Sequence, residues 1–162
     1  MLSESRDFLL GEFPRSLDDR YRLSIPTELA EPLLELGTEC ALVKERAGCL
    51  SLWNAPQWEA QVKQGLELVR NKMFAGRLTG KMEEVQRLGR LLSTRHRIVQ
   101  IAGRGRLVIP EGFREFLGVE AGGDVVVVGA AVCIELWHPA RWLEYLNERI
   151  PEFRTLFDTL SG

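Results

Sequence analysis

Leu17-Asp18-Asp19-Arg20-Tyr21-Arg22-Leu23-Ser24-Ile25-Pro26 returns later in the chain as Ile101-Ala102-Gly103-Arg104-Gly105-Arg106-Leu107-Val108-Ile109-Pro110. Sliding the chain on itself by 84 residues lays Leu17–Val62 over Ile101–Leu146 without a gap, and 13 of the 46 pairs are identical. The identities include Arg20/Arg104, Arg22/Arg106, Leu23/Leu107, Pro26/Pro110, Cys49/Cys133, Trp53/Trp137 and Trp58/Trp142. A repeat at one fixed offset is the signature of a duplicated structural unit, so the chain reads as two tandem copies joined by a middle segment.

Each copy carries the same local signals. A polar turn leads into Leu23-Ser24-Ile25 or Leu107-Val108-Ile109, whose short pattern fits a strand with one buried face. Pro26 and Pro110 then open short helices, Thr27 to about Leu36 and Glu111 to about Leu117, because proline is tolerated where first-turn N–H groups have no intrahelical partner. Two more strands follow in each copy: Ala41–Val43 and Cys49–Trp53, then Val125–Val128 and Val132–Trp137. Further helices start near Pro56 and Pro139. The unit is β-α-β-β-α, and its few strands cannot be covered within one copy. The expected fold class is therefore α+β, with two copies paired about a pseudo-twofold axis into one β-core flanked by helices.

The expected organisation is a first unit at 8–62, a helical linker at 63–92, a second unit at 93–146 and a C-terminal helix at 147–162 interrupted at Pro151. Met82, Val85, Leu88 and Leu92 form one helical stripe in the linker, while Gly76, Gly80 and Gly89 predict two helices or a break.

The 162 residues are 45% hydrophobic and 27% charged, with 21 Lys+Arg against 23 Asp+Glu, a net charge of −2. That total disfavours a general polyanion binder, but the distribution is uneven. Residues 1–62 stand at −5, 63–84 at +2 and 111–162 at −5, whereas 85–110 holds Arg87, Arg90, Arg95, Arg97, Arg104 and Arg106 with no acid, standing at +6. A charge run of this kind is more often a solvated face than a site.

Three cysteines, Cys40, Cys49 and Cys133, without CxxC spacing argue against a disulfide framework or zinc knuckle and point to a reducing cytoplasm. The start of the chain, with Glu4, Arg6 and Asp7 before a short apolar run, does not read as a signal peptide, and no membrane association is expected.

Phe8–Phe13, the two Arg-containing turns and the paired tryptophan segments together resemble the MraZ family, regulators built from two AbrB-like swapped-hairpin units, over roughly Phe8 to Tyr145. The resemblance implies a swapped-hairpin core and a DNA-binding transcriptional regulator of a division and cell-wall gene cluster. It also implies double-stranded promoter repeats as partner, self-association into a ring-like homo-oligomer, and a cytoplasmic, nucleoid-associated location. Two positions depart from the family pattern. Tyr21 stands where glycine is usual, so that turn is not expected to reach a positive φ with the same ease, and Ala102 stands where an aspartate belongs.

The candidate DNA-binding residues are Arg15, Arg20, Arg22, Arg104 and Arg106. Arginine suits the task because its planar fork binds phosphate or the O6 and N7 edge of guanine through two hydrogen bonds. Arg20 and Arg104 read as DNA contacts. Arg22 and Arg106 stay open between DNA contact and pairing with carboxylates, Arg22 with Asp18 in particular. Asp18 reads as a structural turn residue, since a carboxylate repels phosphate but accepts backbone N–H groups. Arg95 and Arg97 are expected to share one strand face, and the tryptophans to pack in the core or at subunit contacts. No catalytic constellation, cofactor, metal or small-molecule substrate is expected. The alternative reading is an antitoxin-type protein-interaction module of the same superfamily.

Overall fold

A computed structural model describes residues 8–35 and 37–162. The charged start at Glu4, Arg6 and Asp7 and the expected helix end at Leu36 lie outside the described residues. The first copy contributes β1 (Leu9–Ser16), β2 (Arg22–Ser24), α1 (Thr27–Leu33), β3 (Glu39–Arg46), β4 (Cys49–Asn54) and α2 (Ala55–Phe74). After α3 (Met82–Arg95) the second supplies β5 (His96–Gln100), β6 (Arg106–Val108), α4 (Phe113–Leu117), β7 (Asp124–Ala131), β8 (Ile134–Trp137), α5 (Pro139–Arg149) and α6 (Phe153–Ser161). The 84-residue offset brings β1 over β5, β2 over β6, β3 over β7 and β4 over β8.

Pairing exchanges strands between the copies. The six-stranded antiparallel sheet runs β1-β7-β8-β4-β3-β5, so the first strand of each copy lies on the other copy's third. The pseudo-twofold axis can be read from register. In the separate two-stranded ribbon of β2 and β6, Leu23 pairs with Leu107, its own repeat mate. At the sheet centre Ser51 of β4 pairs with Glu135 of β8, again its repeat mate. The architecture is α+β, with helices around two interlocked antiparallel units.

Burial follows the alternation. Leu23, Leu107 and Ile109 are buried beneath the ribbon, and Leu42, Leu50, Leu52, Ile134 and Leu136 fill the space under the sheet. Burying each such leucine or isoleucine is worth about 1.5–3 kcal/mol, so both faces of the duplication depend on one shared core. Cys40, Cys49 and Cys133 are buried within these strands, and burial pushes the Cys40 thiol up to about 11 and the Cys133 thiol up to about 12.

Helix boundaries show where local chemistry overrides the periodic pattern. α1 ends at Leu33, with Pro32 in its last turn lacking the N–H that would continue the ladder. α4 starts at Phe113 rather than Glu111, because Gly112 at φ +86° turns the chain first and its N–H donates to the Glu115 carboxylate. α2 opens under the Asn54 side chain, which accepts the N–H of Gln57, and stops before Gly76 at φ +73°. Gly89 is carried within α3. A 3-10 turn at Ile150–Glu152, containing Pro151, separates α5 from α6.

Candidate nucleic-acid interface

The ribbon of β2 and β6 is short, and its register fixes which side chains leave the protein. Leu23 and Leu107 point into the core at 1% and 0% exposure, so their neighbours Arg22, Ser24, Arg106 and Val108 face outward. Across the ribbon Arg22 lies opposite Val108, and Ser24 lies opposite Arg106. The two arginines are therefore a diagonal pair on a rigid platform.

The turn before each strand is built differently. In the first copy the Asp18 carboxylate accepts the backbone N–H groups of Arg20 and Arg22, both at 2.8 Å, and also pairs with the Arg22 guanidinium. Those donors, the Arg22 N–H foremost, hold the Asp18 carboxyl below its ordinary value. Tyr21 sits at φ +60°, so the turn takes a positive φ without the glycine that would make it easy. Its left-handed backbone, which costs a non-glycine residue about 1–2 kcal/mol, is held by three contacts. Its N–H donates to the Asp18 carbonyl at 3.1 Å, its carbonyl accepts from the Ile109 N–H at 2.9 Å, and its ring lies 4.2 Å from the Arg114 guanidinium.

In the second copy the backbone skeleton of the turn persists without the carboxylate. The Ala102 N–H donates to the Arg106 carbonyl at 2.9 Å, as the Asp18 N–H does to Arg22 at 3.1 Å. Two successive residues are left-handed here, Arg104 at φ +67° and Gly105 at φ +72°. Gly105 is required twice over, because a Cβ there would fall 2.6 Å from the Ile25 carbonyl oxygen.

A shallow recess of about 380 Å³ opens beside the ribbon and is lined by Arg15, Ser16, Asp18, Arg22, Ser24 and Arg106. It gathers three of the five candidate arginines together with Asp18. Arg15, half-buried on β1, donates to the Pro14 carbonyl at 2.8 Å and stands 5.7 Å from the Phe13 ring. Arg20 and Arg104 are exposed on the turns outside the recess. Among the described residues, Arg20, Arg104 and Arg106 form no salt bridge, while Arg22 is committed to Asp18.

The acid-free run 85–110 is one stretch of chain but not one surface. Arg87 and Arg90 lie on α3, and Arg95 is the last residue of that helix and bridges Glu45 at 3.0 Å. Arg97 on β5 stands 5.8 Å from the Phe113 ring. The expectation that Arg95 and Arg97 share a strand face is thus overturned, because the helix persists through Arg95 and the strand begins at His96. Only Arg104 and Arg106 of that run reach the ribbon.

The tryptophans serve packing. Trp58 and Trp137 are buried, Trp53 donates its indole N–H to Ser51, and Trp142 lies 5.2 Å from Trp137 and stacks on Tyr145. Among the described residues no three His, Cys, Asp or Glu side chains converge as metal ligands would, and no helix is long and apolar enough to cross a membrane.

Sequence reasoning passed over Ser16, Ser24 and Val108, which share the outer surface with the arginines. The period-two alternation of the ribbon was the available signal for Ser24 and Val108, because the inward leucines place both outside. The Tyr21–Arg114 contact had no local signal, since it joins turn and helix from opposite copies.

The chain is similar to proteins named as MraZ regulators. A family profile described as "MraZ protein, putative antitoxin-like" matches residues 97–160. A protein of Salmonella paratyphi A (strain ATCC 9150 / SARB42) named "Transcriptional regulator MraZ" is 30% identical over 149 residues, covering 90% of each chain. The chain belongs to the MraZ family. Other MraZ relatives include a "Transcriptional regulator MraZ" from Clostridium botulinum (strain Eklund 17B / Type B), 27% identical over 84% of this chain and 85% of the relative. One from Syntrophomonas wolfei subsp. wolfei is 26% identical over 93% of this chain and 95% of the relative. Membership in the MraZ family accords with the interlocked AbrB-like architecture seen here.

Proposed function

We propose that this MraZ family member is a transcriptional regulator that binds repeated boxes in double-stranded promoter DNA of a division and cell-wall gene cluster. The observation that carries the reading is the recess in which Arg15, Arg22 and Arg106 converge beside a two-stranded ribbon. A B-DNA major groove admits a two-stranded β-ribbon, and arginine forks match both guanine edges and phosphates. Arg106 is the principal contact because, among the described residues, no carboxylate holds it. Arg22 is oriented by Asp18, which positions the guanidinium while offsetting part of its charge. Arg15 flanks the site, and Arg20 and Arg104, at the turn tips, reach the phosphates alongside.

The net charge of −2 makes one ribbon a modest electrostatic binder, so affinity comes from several subunits engaging several boxes. Exposed Leu143, Ile150, Phe153, Phe157 and Leu160 on the C-terminal helices supply apolar surface for a ring-like homo-oligomer. In this reading the units 8–62 and 93–146 act together as one DNA-reading head, with 63–92 and 147–162 as helical connections between subunits. The protein works in the cytoplasm in association with the nucleoid, without catalysis, cofactor or small-molecule substrate.

Binding-site selection from random duplexes, with native mass measured in parallel, tests this proposal. Enrichment of spaced repeats by an oligomer is expected, and a folded Arg22→Ala/Arg106→Ala protein that binds them as tightly as wild type would show the site to be wrong. The alternative is an antitoxin-type module, favoured by the "putative antitoxin-like" wording of the family description and by the same exposed helices. Nuclease-treated pull-downs that retain a defined protein partner, with no duplex enriched, would support it.

A further inference from the structure

The pseudo-twofold axis that relates Arg22 to Arg106 also relates Ser24 to Val108, and there the outer face of the ribbon loses its symmetry. Val108 is 49% exposed and is the one apolar side chain among the four that leave this face. Leu107, wholly buried, fixes the direction in which Val108 points. Val108 lies outside the buried core cluster, with about half of its surface open. It stands across the ribbon from Arg22 and on the same strand face as Arg106.

Folding leaves half of this valine open on the face that carries the arginines, and a ligand with an apolar group between hydrogen-bonding edges would cover it. In the major groove only one base carries such a group, the 5-methyl of thymine, beside the acceptors and donors that arginine and serine can read. The geometry points to Val108 as a specificity-determining residue that contacts a thymine methyl, while its mate Ser24 offers a hydroxyl at the other end of the ribbon. This inference rests on the DNA-binding reading above and deepens it. The two ends of one ribbon read different base edges, so the preferred box is not its own inverted repeat.

The test uses the full-length protein and duplexes it enriches from a random library, resynthesised with uracil replacing each thymine in turn so that only the methyl is removed. Wild type is expected to weaken about fourfold at one thymine position, the worth of one methyl-sized apolar contact. Val108→Ser, a surface change whose folding is checked by its melting temperature, is expected to bind the thymine and uracil duplexes alike. Ser24→Val, which gives both ends the same side chain, is expected to acquire a second uracil-sensitive position. Wild type that binds an enriched duplex without sensitivity to any uracil, or a Val108→Ser protein that stays as sensitive as wild type, overturns this inference and leaves the DNA reading standing. Failure to enrich any duplex overturns both.

Discussion

The first and second turns of the repeat share a backbone hydrogen-bond pattern but build it by different means, with one left-handed residue in the first and two in the second. At the first, Asp18 accepts two backbone N–H groups and holds Arg22, and Tyr21 is forced left-handed with its ring against Arg114 of the opposite copy. At the second there is no carboxylate, Gly105 takes the left-handed position, and a Cβ there would sit 3.6 Å from that of Ala30. Ala30 and Arg114 are repeat mates, as are Tyr21 and Gly105. A large turn residue thus meets a long side chain on one side of the axis, and a small one meets a small one on the other. Duplication preserved the scaffold while the contacts diverged in matched pairs, which left one arginine held and its mate, among the described residues, without a carboxylate.

The largest consequence concerns binding. Removing both ribbon arginines, in Arg22→Ala/Arg106→Ala, is expected to reduce affinity for an enriched duplex by about a hundredfold or more, since each good bidentate contact is worth about 1–3 kcal/mol. Fluorescence anisotropy on the folded variant reads this directly. Singly, Arg106→Ala is expected to cost more than Arg22→Ala, and equal losses would mean that Asp18 does not distinguish the two ends.

Next in size is the fold of the second turn. Gly105→Ala places a Cβ against the Ile25 carbonyl and strains a φ of +72°, so thermal unfolding should show a loss of about 1–3 kcal/mol. Arg114→Ala removes the cation above Tyr21 and the hydrogen bond to the Ile109 carbonyl at 2.6 Å, for a loss of about 1–2 kcal/mol. If Arg114→Ala left the melting temperature unchanged, the matched-pair account of Tyr21 would be wrong.

A more selective change is Ala102→Asp, which gives the second turn the carboxylate of the first. It is expected to hold Arg106 as Arg22 is held and to bring the cost of Arg106→Ala down toward that of Arg22→Ala. A smaller effect is expected from acid. The Asp18 and Glu115 carboxyls are lowered by backbone N–H donors, so their stabilising contribution is complete above the unfolded carboxylate value near 4 and is lost as pH falls through their lower folded values. Asp18→Asn should remove part of that acid-side decline, as followed by melting temperature between about pH 5 and pH 2.

Much of this was legible in the chain because the duplication wrote it twice. The strand–proline–helix order and the pairing of Arg22 with Asp18 involve residues adjacent in sequence, whereas the ribbon joins strands from opposite copies. Strand exchange was legible only as pairing between copies, since which strand lies on which is decided by burial across the axis. The left-handed Tyr21 escaped because its compensation comes from Arg114, 93 positions away. Arg95 was misplaced for a related reason: its helix ends where β5 can pair with β3, a tertiary event that composition does not announce. Val108 was passed over because Leu107-Val108-Ile109 is apolar throughout, so the alternation that turns it outward is visible only through its repeat mate Ser24.

The central claim is that the ribbon face binds DNA through two unequal arginines. Titrating an enriched duplex with wild type, Arg22→Ala and Arg106→Ala across a range of salt concentrations tests it most directly. Wild-type affinity should fall steeply with salt, by a log–log slope of about −0.9 for each phosphate neutralised, and Arg106→Ala should lose more affinity than Arg22→Ala at every salt concentration. Wild-type binding indifferent to salt, or folded single variants that bind as tightly as wild type throughout, would contradict it.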